Sequence, residues 1–263
     1  MTLNPESTQF GDKTVTPDQK TQKVIDVFDS VADRYDLMND LMSVGLHRRW
    51  KNHFVRRIRP QLGLRYLDVA GGTGDIAFRI KKALDRKQYK KSVTAKILAQ
   101  PQITLCDLNK EMLSVGRDKA LNQGYLNNFN WVTGNAESLP VADQFFDIYT
   151  IAFGLRNVTR IDDALHEAFR VLRPGGRFFC LEFSHVHDPM LAKLYESYSR
   201  TLIPEIGRRV ANDAASYEYL VESIRKFPDQ TQLESRISQA GFNKTSYEIL
   251  DFGVVAIHSG IKI

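Results

Sequence analysis

Residues 67–75 read Leu-Asp-Val-Ala-Gly-Gly-Thr-Gly-Asp, a strand that runs into a glycine-rich turn and then a helix. Leu64, Tyr66, Leu67 and Val69 form a short apolar run suited to a buried parallel strand. Gly71, Gly72 and Gly74 let the backbone turn tightly and leave room for a ligand to lie against it. The spacing predicts a helix opening near Asp75, whose carboxylate caps the N–H groups of the first turn. Ala-Gly-Gly-Thr-Gly is not the Gly-x-Gly-x-x-Gly of pyrophosphate sites, and no Lys-Ser/Thr pair completes a phosphate loop. An acidic residue at each end of the turn suits a ligand with a positive centre and an amino group. S-adenosylmethionine, a sulfonium carrying an amino acid, fits that description. A tight strand–helix turn with no ligand is the plainer alternative.

Outward from this turn the pattern is alternating. Upstream, Asp18 to about Arg59 reads as helices, with Val24, Ile25, Val27, Phe28 and Val31 at helical spacing and Leu37, Met38, Leu41 and Met42 likewise. Downstream, strands are expected at 64–70, 103–107, 129–133, 145–153 and 177–183. Helices are expected at 75–87, from 107 to about Gln123, and at 161–172, where Arg173-Pro174-Gly175-Gly176 ends the last of them. Near-continuous apolar strands alternating with helices predict an α/β fold with a mostly parallel sheet covered on both faces. Helices at about 188–202, 216–226 and 230–240 follow, then two β-like runs, 244–252 and 253–262, that can pair as an antiparallel edge hairpin.

In such a sheet, ligands bind beyond the carboxyl ends of the strands. Asp107 ends the second strand and can accept two hydrogen bonds from a ribose diol; it lies well past the roughly 20 residues usual for such an acid, and a basic excursion at 86–101 accounts for the excess. Gly134-Asn135-Ala136 after the third strand suits an adenine edge, or is an ordinary Gly-Asn turn. Phe153 after the fourth strand is either core or a ring that stacks on adenine or faces the sulfonium. Arg156, three residues on, is a site cation or half of a structural ion pair.

Composition is that of an ordinary globular chain: 263 residues, 43% hydrophobic and 25% charged. No stretch of about 18 apolar residues suggests a membrane span. The first twenty residues lack the apolar core of a secretory signal and the Arg-rich, acid-poor character of an organelle transit peptide. Cys106 and Cys180 each sit in an apolar run and read as inert buried thiols; no spacing of His and Cys suggests a metal. The net charge is +5, from 36 Lys and Arg against 31 Asp and Glu. Much of the excess lies in Lys81, Lys82, Arg86, Lys87, Lys90, Lys91 and Lys96, opposed by Asp85 alone. That run is a solvated loop or a patch for anionic lipid heads or an acidic partner. It lacks the interleaved aromatics of a nucleic-acid surface, so no nucleic acid is expected.

Two longer strings resemble the signatures of the ubiquinone/menaquinone biosynthesis C-methyltransferases. The first is Tyr-Asp-Leu-Met-Asn-Asp-Leu-Met-Ser-Val-Gly-Leu-His-Arg-Arg-Trp at 35–50; the second is Arg-Val-Leu-Arg-Pro-Gly-Gly-Arg-Phe-Phe-Cys-Leu-Glu-Phe-Ser at 170–184. FGLRNVT at 153–159, NDAASYEYLVESI at 212–224, FPDQ at 227–230 and VVAIHSG at 254–260 are similar too. The resemblance implies a class I methyltransferase (Rossmann-like) fold: a mostly parallel seven-stranded sheet with helices on both faces, an antiparallel C-terminal edge hairpin and an N-terminal helical cap. It implies a flexible segment at 1–17, a cap over the active site at 18–59, and the methyltransferase domain at 60–263, with a helical insertion at about 188–226 covering the substrate side. It also implies S-adenosylmethionine as cofactor, and methylation of a ring carbon of a prenylated hydroquinone, in ubiquinone or menaquinone synthesis.

Family cofactor contacts carry over onto Thr73, Asp107, Asn135 and Ala136, beside Gly71, Gly72 and Gly74 of the turn. Many bacterial members have Ser where this chain has Ala152. TQFGDKTV at 8–15 resembles the lead-in of bacterial members, which favours a bacterial cytoplasm, at the inner face of the membrane, over the matrix side of a mitochondrial inner membrane. Expected partners are the quinol, the membrane surface, other quinone-synthesis enzymes and a second copy of the chain.

The ring carbon is a poor nucleophile until its neighbouring hydroxyl loses or shares a proton, so a base or a phenolate-stabilising cation is expected. The candidates are Arg156, His47 and Asp36, with Tyr35, Asn39, Phe153 and Asn157 as substrate contacts. Capping and packing roles explain His47, Tyr35, Asp36 and Asn39 equally well. Competing readings are an RNA methyltransferase, suggested by a pI near 9.1, another small-molecule methyltransferase, and a non-catalytic scaffold with a vestigial pocket.

Overall fold

In the computed structural model, the described residues are 8–10, 13–31, 40, 43, 45–88, 102–125, 127–186 and 214–263. A short antiparallel pair, β1 (Thr8–Phe10) and β2 (Lys13–Val15), leads into helix α1 (Pro17–Val31). Part of the lead-in expected to be loose is thus paired, with Val15 buried. Helix α2 (Leu46–Ile58) comes next, and then strand and helix alternate: β3 (Arg65–Val69), α3 (Asp75–Gln88), β4 (Gln102–Asp107), α4 (Lys110–Asn122), β5 (Phe129–Thr133) and β6 (Phe146–Ala152). A 3-10 turn (Leu155–Asn157), α5 (Ile161–Val171) and β7 (Leu172–Phe183) continue the series. Helices α6 (Ala214–Lys226) and α7 (Gln230–Gln239) and strands β8 (Asn243–Leu250) and β9 (Val255–Ile261) complete it. The helix expected at 188–202 lies outside the described residues.

The large sheet has seven strands in the order β5-β4-β3-β6-β7-β9-β8. The first five run parallel; β9 is antiparallel to both β7 and β8. Buried side chains of β7 alternate between two cores. Phe178 and Cys180 join α5 and α7 on one face, while Phe179, Leu181 and Phe183 join α2 and α3 on the other. That alternation is why the strands read as continuous apolar runs. Both cysteines are fully buried, and burial pushes the Cys106 thiol up to about 12, so both are inert packing groups.

Two details depart from the sequence pattern. β7 begins at Leu172, which pairs with Phe146, before the register jumps to Arg177 opposite Ile148. The Pro-Gly-Gly segment is looped out within the strand, with Gly175 at φ 81 and its N–H donating to Lys262 O. The C-terminal hairpin is also inserted in reverse order, its second strand inside and its first at the edge.

β3 is the centre of the parallel region, with β4 on one side and β6 on the other, so the winding reverses there and opens a crevice at the carboxyl edge. Two non-glycine residues at this edge adopt left-handed backbone, Ala70 at φ 50 and Phe153 at φ 56. Strain of this kind persists only where the surroundings enforce it. Here the turns after β3 and β6 press together so closely that a Cβ on Gly154 would come within 2.4 Å of the Ala70 Cβ.

Candidate functional site

The crevice holds a cleft that brings together Gly72 of the first turn, Asp107 at the end of β4, and Asn135 and Ala136 after β5. Phe153 and Asn157 line its other side, and Thr21, Val24 and Ile25 of α1 lie across it. Asp107 is held by two backbone donors: Gly72 N–H reaches Oδ2 at 2.7 Å and Asn109 N–H reaches Oδ1 at 2.8 Å. A carboxylate has about four lone-pair positions, so both oxygens keep capacity for a diol. Burial raises the Asp107 carboxyl, and the N–H groups of Asn109, Gly72 and Leu108 oppose that rise. Asn135 Oδ1 accepts from Glu137 N–H at 2.9 Å, which makes the turn rigid.

A smaller cavity continues behind the turn, lined by Asp68, Gly71, Gly72, Thr73, Ala152 and Lys51, among others. Asp68 is 1% exposed; Thr150 donates to its Oδ1 at 2.7 Å, and its Oδ2 has no hydrogen-bond partner. Burial pushes this carboxyl up to about 7, against the Thr150 and Ala77 bonds. A carboxyl so placed is a ready counter-ion for an ammonium group. The other acid, Asp75, also lines this cavity, but its carboxylate is taken by cations. It pairs with Lys51 at 2.8 Å and Arg79 at 2.7 Å, and these cations overcome its burial and hold it at about 2. Gly74 lines neither cavity; at φ 87, with the Phe78 ring 2.9 Å from where a Cβ would stand, it serves the turn and its packing.

The fit to S-adenosylmethionine follows from this arrangement. The diol acceptor, the adenine-side turn and the unpartnered carboxyl oxygen stand in the order ribose, base and ammonium require. A Cβ on Gly72 would meet the Met112 Cε at 3.1 Å and intrude between the two cavities.

Arg156 makes the ion pair of its plainer alternative, and it also lines a further cavity beside the cleft. Its Nη1 donates to Glu182 Oε1 at 2.8 Å, with the two side chains 4% and 1% exposed, and also to Phe153 O. Its guanidinium lies 5.3 Å from the Phe183 ring centroid. It does not line the cofactor cleft, and its charge is matched within β7. Phe153 is core and wall at once: buried against Phe183 and Trp50, it also borders both cavities.

His47 is buried in the first turn of α2, its Nε2 2.7 Å from Asp40 Oδ1 and its Nδ1 without a partner. Burial and then the Lys51 charge lower its pKa against the pull of Asp40. It borders a polar groove with Thr73, Arg56, Lys82 and Arg86, outside the cofactor cleft. Tyr35, Asp36 and Asn39 lie outside the described residues, as do Lys90, Lys91 and Lys96. Lys87 is exposed and donates to Pro60 O.

Sequence reasoning missed Lys51 and the α1 residues over the cleft, and of the two acids flanking the turn it did not single out Asp68 as the buried one with an oxygen to spare. Lys51 follows His47 by one helical turn, a spacing that places both on one face of α2.

A model of the ubiE/COQ5 methyltransferase family matches residues 16–262. The 2-methoxy-6-polyprenyl-1,4-benzoquinol methylase, mitochondrial, of Rattus norvegicus is 51% identical over 97% of this chain and 84% of its own length. The human protein of the same name is 50% identical with the same coverage. Among solved structures, an S-adenosylmethionine-dependent methyltransferase from Thermotoga maritima superposes with a TM-score of 0.61 at 16% identity, covering 90% of this chain and 98% of the other. A Haemonchus contortus phosphoethanolamine N-methyltransferase in complex with S-adenosylmethionine gives 0.57 at 13% identity, covering 81% and 52%. These two likenesses show the fold alone. The match along nearly the whole chain does more: this protein is an S-adenosylmethionine-dependent methyltransferase and belongs to the ubiE/COQ5 methyltransferase family.

Proposed function

We propose that this enzyme methylates a ring carbon of a 2-methoxy-6-polyprenyl-1,4-benzoquinol in ubiquinone synthesis. The observation that carries the reading is the cleft at the carboxyl edge, where Asp107, Gly72 and Asn135 converge beside the unpartnered oxygen of Asp68. The relatives' names support the benzoquinol over a demethylmenaquinol, and a mitochondrial compartment over the bacterial cytoplasm. They likewise favour quinol methylation over the RNA-methylating and non-catalytic alternatives.

When bound, S-adenosylmethionine supplies an activated methyl: the C–S bond breaks toward sulfur as the ring carbon forms the new C–C bond, and the ring proton is then lost. The chain's part is to hold and orient. Asp107 accepts from the ribose diol, its own geometry fixed by Gly72 and Asn109. Asp68 receives the ammonium, while Lys51 fixes Asp75 and so steadies the start of α3 beneath the turn. Asn135 and Ala136 border the base, and Phe153 closes water out between the two turns. Residues 18–59 are assigned as the cap; among the described residues of that range, Thr21, Val24 and Ile25 line the cleft. Holding the reacting atoms in line can supply up to about 7–11 kcal/mol of the barrier.

The tail keeps the substrate in a bilayer, and the basic groove bearing Arg56, Lys82 and Arg86 is the surface we assign to peripheral membrane contact. The test of function is direct. Labelled S-adenosylmethionine is incubated with the enzyme and reduced demethylated polyprenyl quinols, and the label is located by mass spectrometry. Absence of label on the benzoquinol ring overturns the reading.

A further inference from the structure

A further cavity adjoins the cofactor cleft and shares Val158 and Thr159 with it. Its free volume is about 310 Å³, within the roughly 300–1,000 Å³ of small-molecule sites. Ile161, Phe227 and the Tyr219 ring give it apolar walls, and Lys20, Arg156, Glu222 and Lys226 stand around them. The Tyr219 hydroxyl donates to Asn157 Oδ1 at 3.1 Å, and Asn157 belongs to the cleft wall, so one hydrogen bond joins the two spaces.

The charges do not balance. Arg156 is neutralised by Glu182 at 2.8 Å, and Lys226 by Glu222 at 3.1 Å. Arg156 still presents a buried Nε with no partner. Lys20 is left. It is 9% exposed, and its Nζ donates to Val158 O at 3.2 Å, which leaves two of its three N–H donors free of that bond. Burial lowers its pKa, with Glu137 opposing. An ammonium buried beside an amphipathic cavity, with no ion-pair partner among the described residues while Glu222 is held by Lys226, is complementary to an oxygen that carries or develops negative charge on an aromatic ring.

We propose that this cavity receives the quinol ring, and that the Lys20 ammonium donates to a ring oxygen and stabilises its negative charge as the ring carbon attacks. The proposal rests on the quinol-methylating function above. It adds Lys20 of α1 as a phenolate-stabilising cation beside Arg156, which lines the same cavity. Val158 and Thr159 line both spaces, which sets the ring beside the cofactor cleft.

The test uses the full chain and a soluble short-chain 2-methoxybenzoquinol. Lys20→Met removes the charge; Lys20→Gln removes it but keeps a donor for the Val158 carbonyl, so a folded variant is available even if the first is unstable. Calorimetric affinity for the quinol, measured with S-adenosylhomocysteine present, is expected to fall tenfold or more in both. Affinity for S-adenosylmethionine is expected to stay within twofold. Lys20→Arg is expected to recover part of the quinol affinity. Unchanged quinol affinity and turnover in Lys20→Gln overturn the subsite while the function stands. Equal loss of cofactor affinity overturns it too, by making Lys20 a lid of the cofactor cleft. A wild-type enzyme that methylates no quinol overturns the function first, and is told apart because the variants then have no activity to lose.

Discussion

Replacing Arg156 with alanine should unfold the protein more readily before it slows the chemistry. The guanidinium and the Glu182 carboxylate are 4% and 1% exposed. Removing the cation leaves that carboxylate deep in the sheet with, among the described residues, the backbone N–H groups of positions 156 and 183 as donors, at 3.3 and 2.9 Å. Breaking a buried pair from one side costs about 3–5 kcal/mol. For a domain of this size each kcal/mol moves the thermal midpoint by roughly 2–4 °C, so a fall of about 6–20 °C is expected. The double variant Arg156→Met with Glu182→Gln removes both charges and should recover most of the loss. Thermal unfolding followed by circular dichroism reads the midpoints, and labelled methyl transfer below all of them reads activity per folded molecule. That activity should change by less than about tenfold. A midpoint within about 2 °C of wild type, together with a hundredfold fall in kcat, would refute the argument. It would mean that the pair is not what holds Arg156 and that its cation acts on the substrate.

Asp107→Ala should weaken S-adenosylmethionine binding at least tenfold in calorimetry, since charge-assisted hydrogen bonds of this kind are worth roughly 1.5–3 kcal/mol; wild-type affinity in a folded variant sinks the assignment. Asp68 has a folded pKa of about 7, above its unfolded value of about 3.9, so its contribution to stability is complete below the lower value and is lost as pH rises through the higher. Asp68→Asn should therefore flatten the decline in urea midpoint between about pH 4 and 7. His258, lowered to about 4 by burial, acts in the opposite sense over part of that range, so the difference between variant and wild type is the quantity to plot. Charge reversal at Lys82 and Arg86 should reduce binding to anionic vesicles, by about 1 kcal/mol per charge at low salt, and leave turnover of a soluble quinol unchanged. Unaltered vesicle binding would return the groove to solvent.

Most of the central sheet was legible because its signals are local. An apolar run followed by Gly-Gly-Thr-Gly specifies strand, turn and helix within a dozen residues, and Asp107 and Asn135 inherit their positions from the strands they terminate. The harder features depend on partners distant in the chain. The ion pair of Arg156 could not be foreseen, because its partner Glu182 lies 26 residues on in the chain. Asp75 looked like a helix cap until Lys51, from another helix, claimed its carboxylate. Lys20 lies in a segment whose polarity reads as solvent-facing, and no local pattern marks the cavity beneath it. The looped-out Pro-Gly-Gly reads correctly as a helix stop, but its place inside β7 is decided by pairing with Phe146.

The position of β9 sets a schedule for folding. β7 finds one neighbour, β6, among strands already made, but its other edge waits for β9, which follows α6, α7 and β8 in the chain. Until then β7 presents open N–H and C=O groups along Arg177 to Phe183, a run of mostly apolar side chains, and an open apolar edge is an invitation to pair with another chain. β8 cannot shield it, because its place is on the far side of β9. A nascent chain that stalls before β9 should therefore be the form most prone to aggregate, and the looped Arg173–Gly176 beside that edge acts as an interruption that shortens the exposed template.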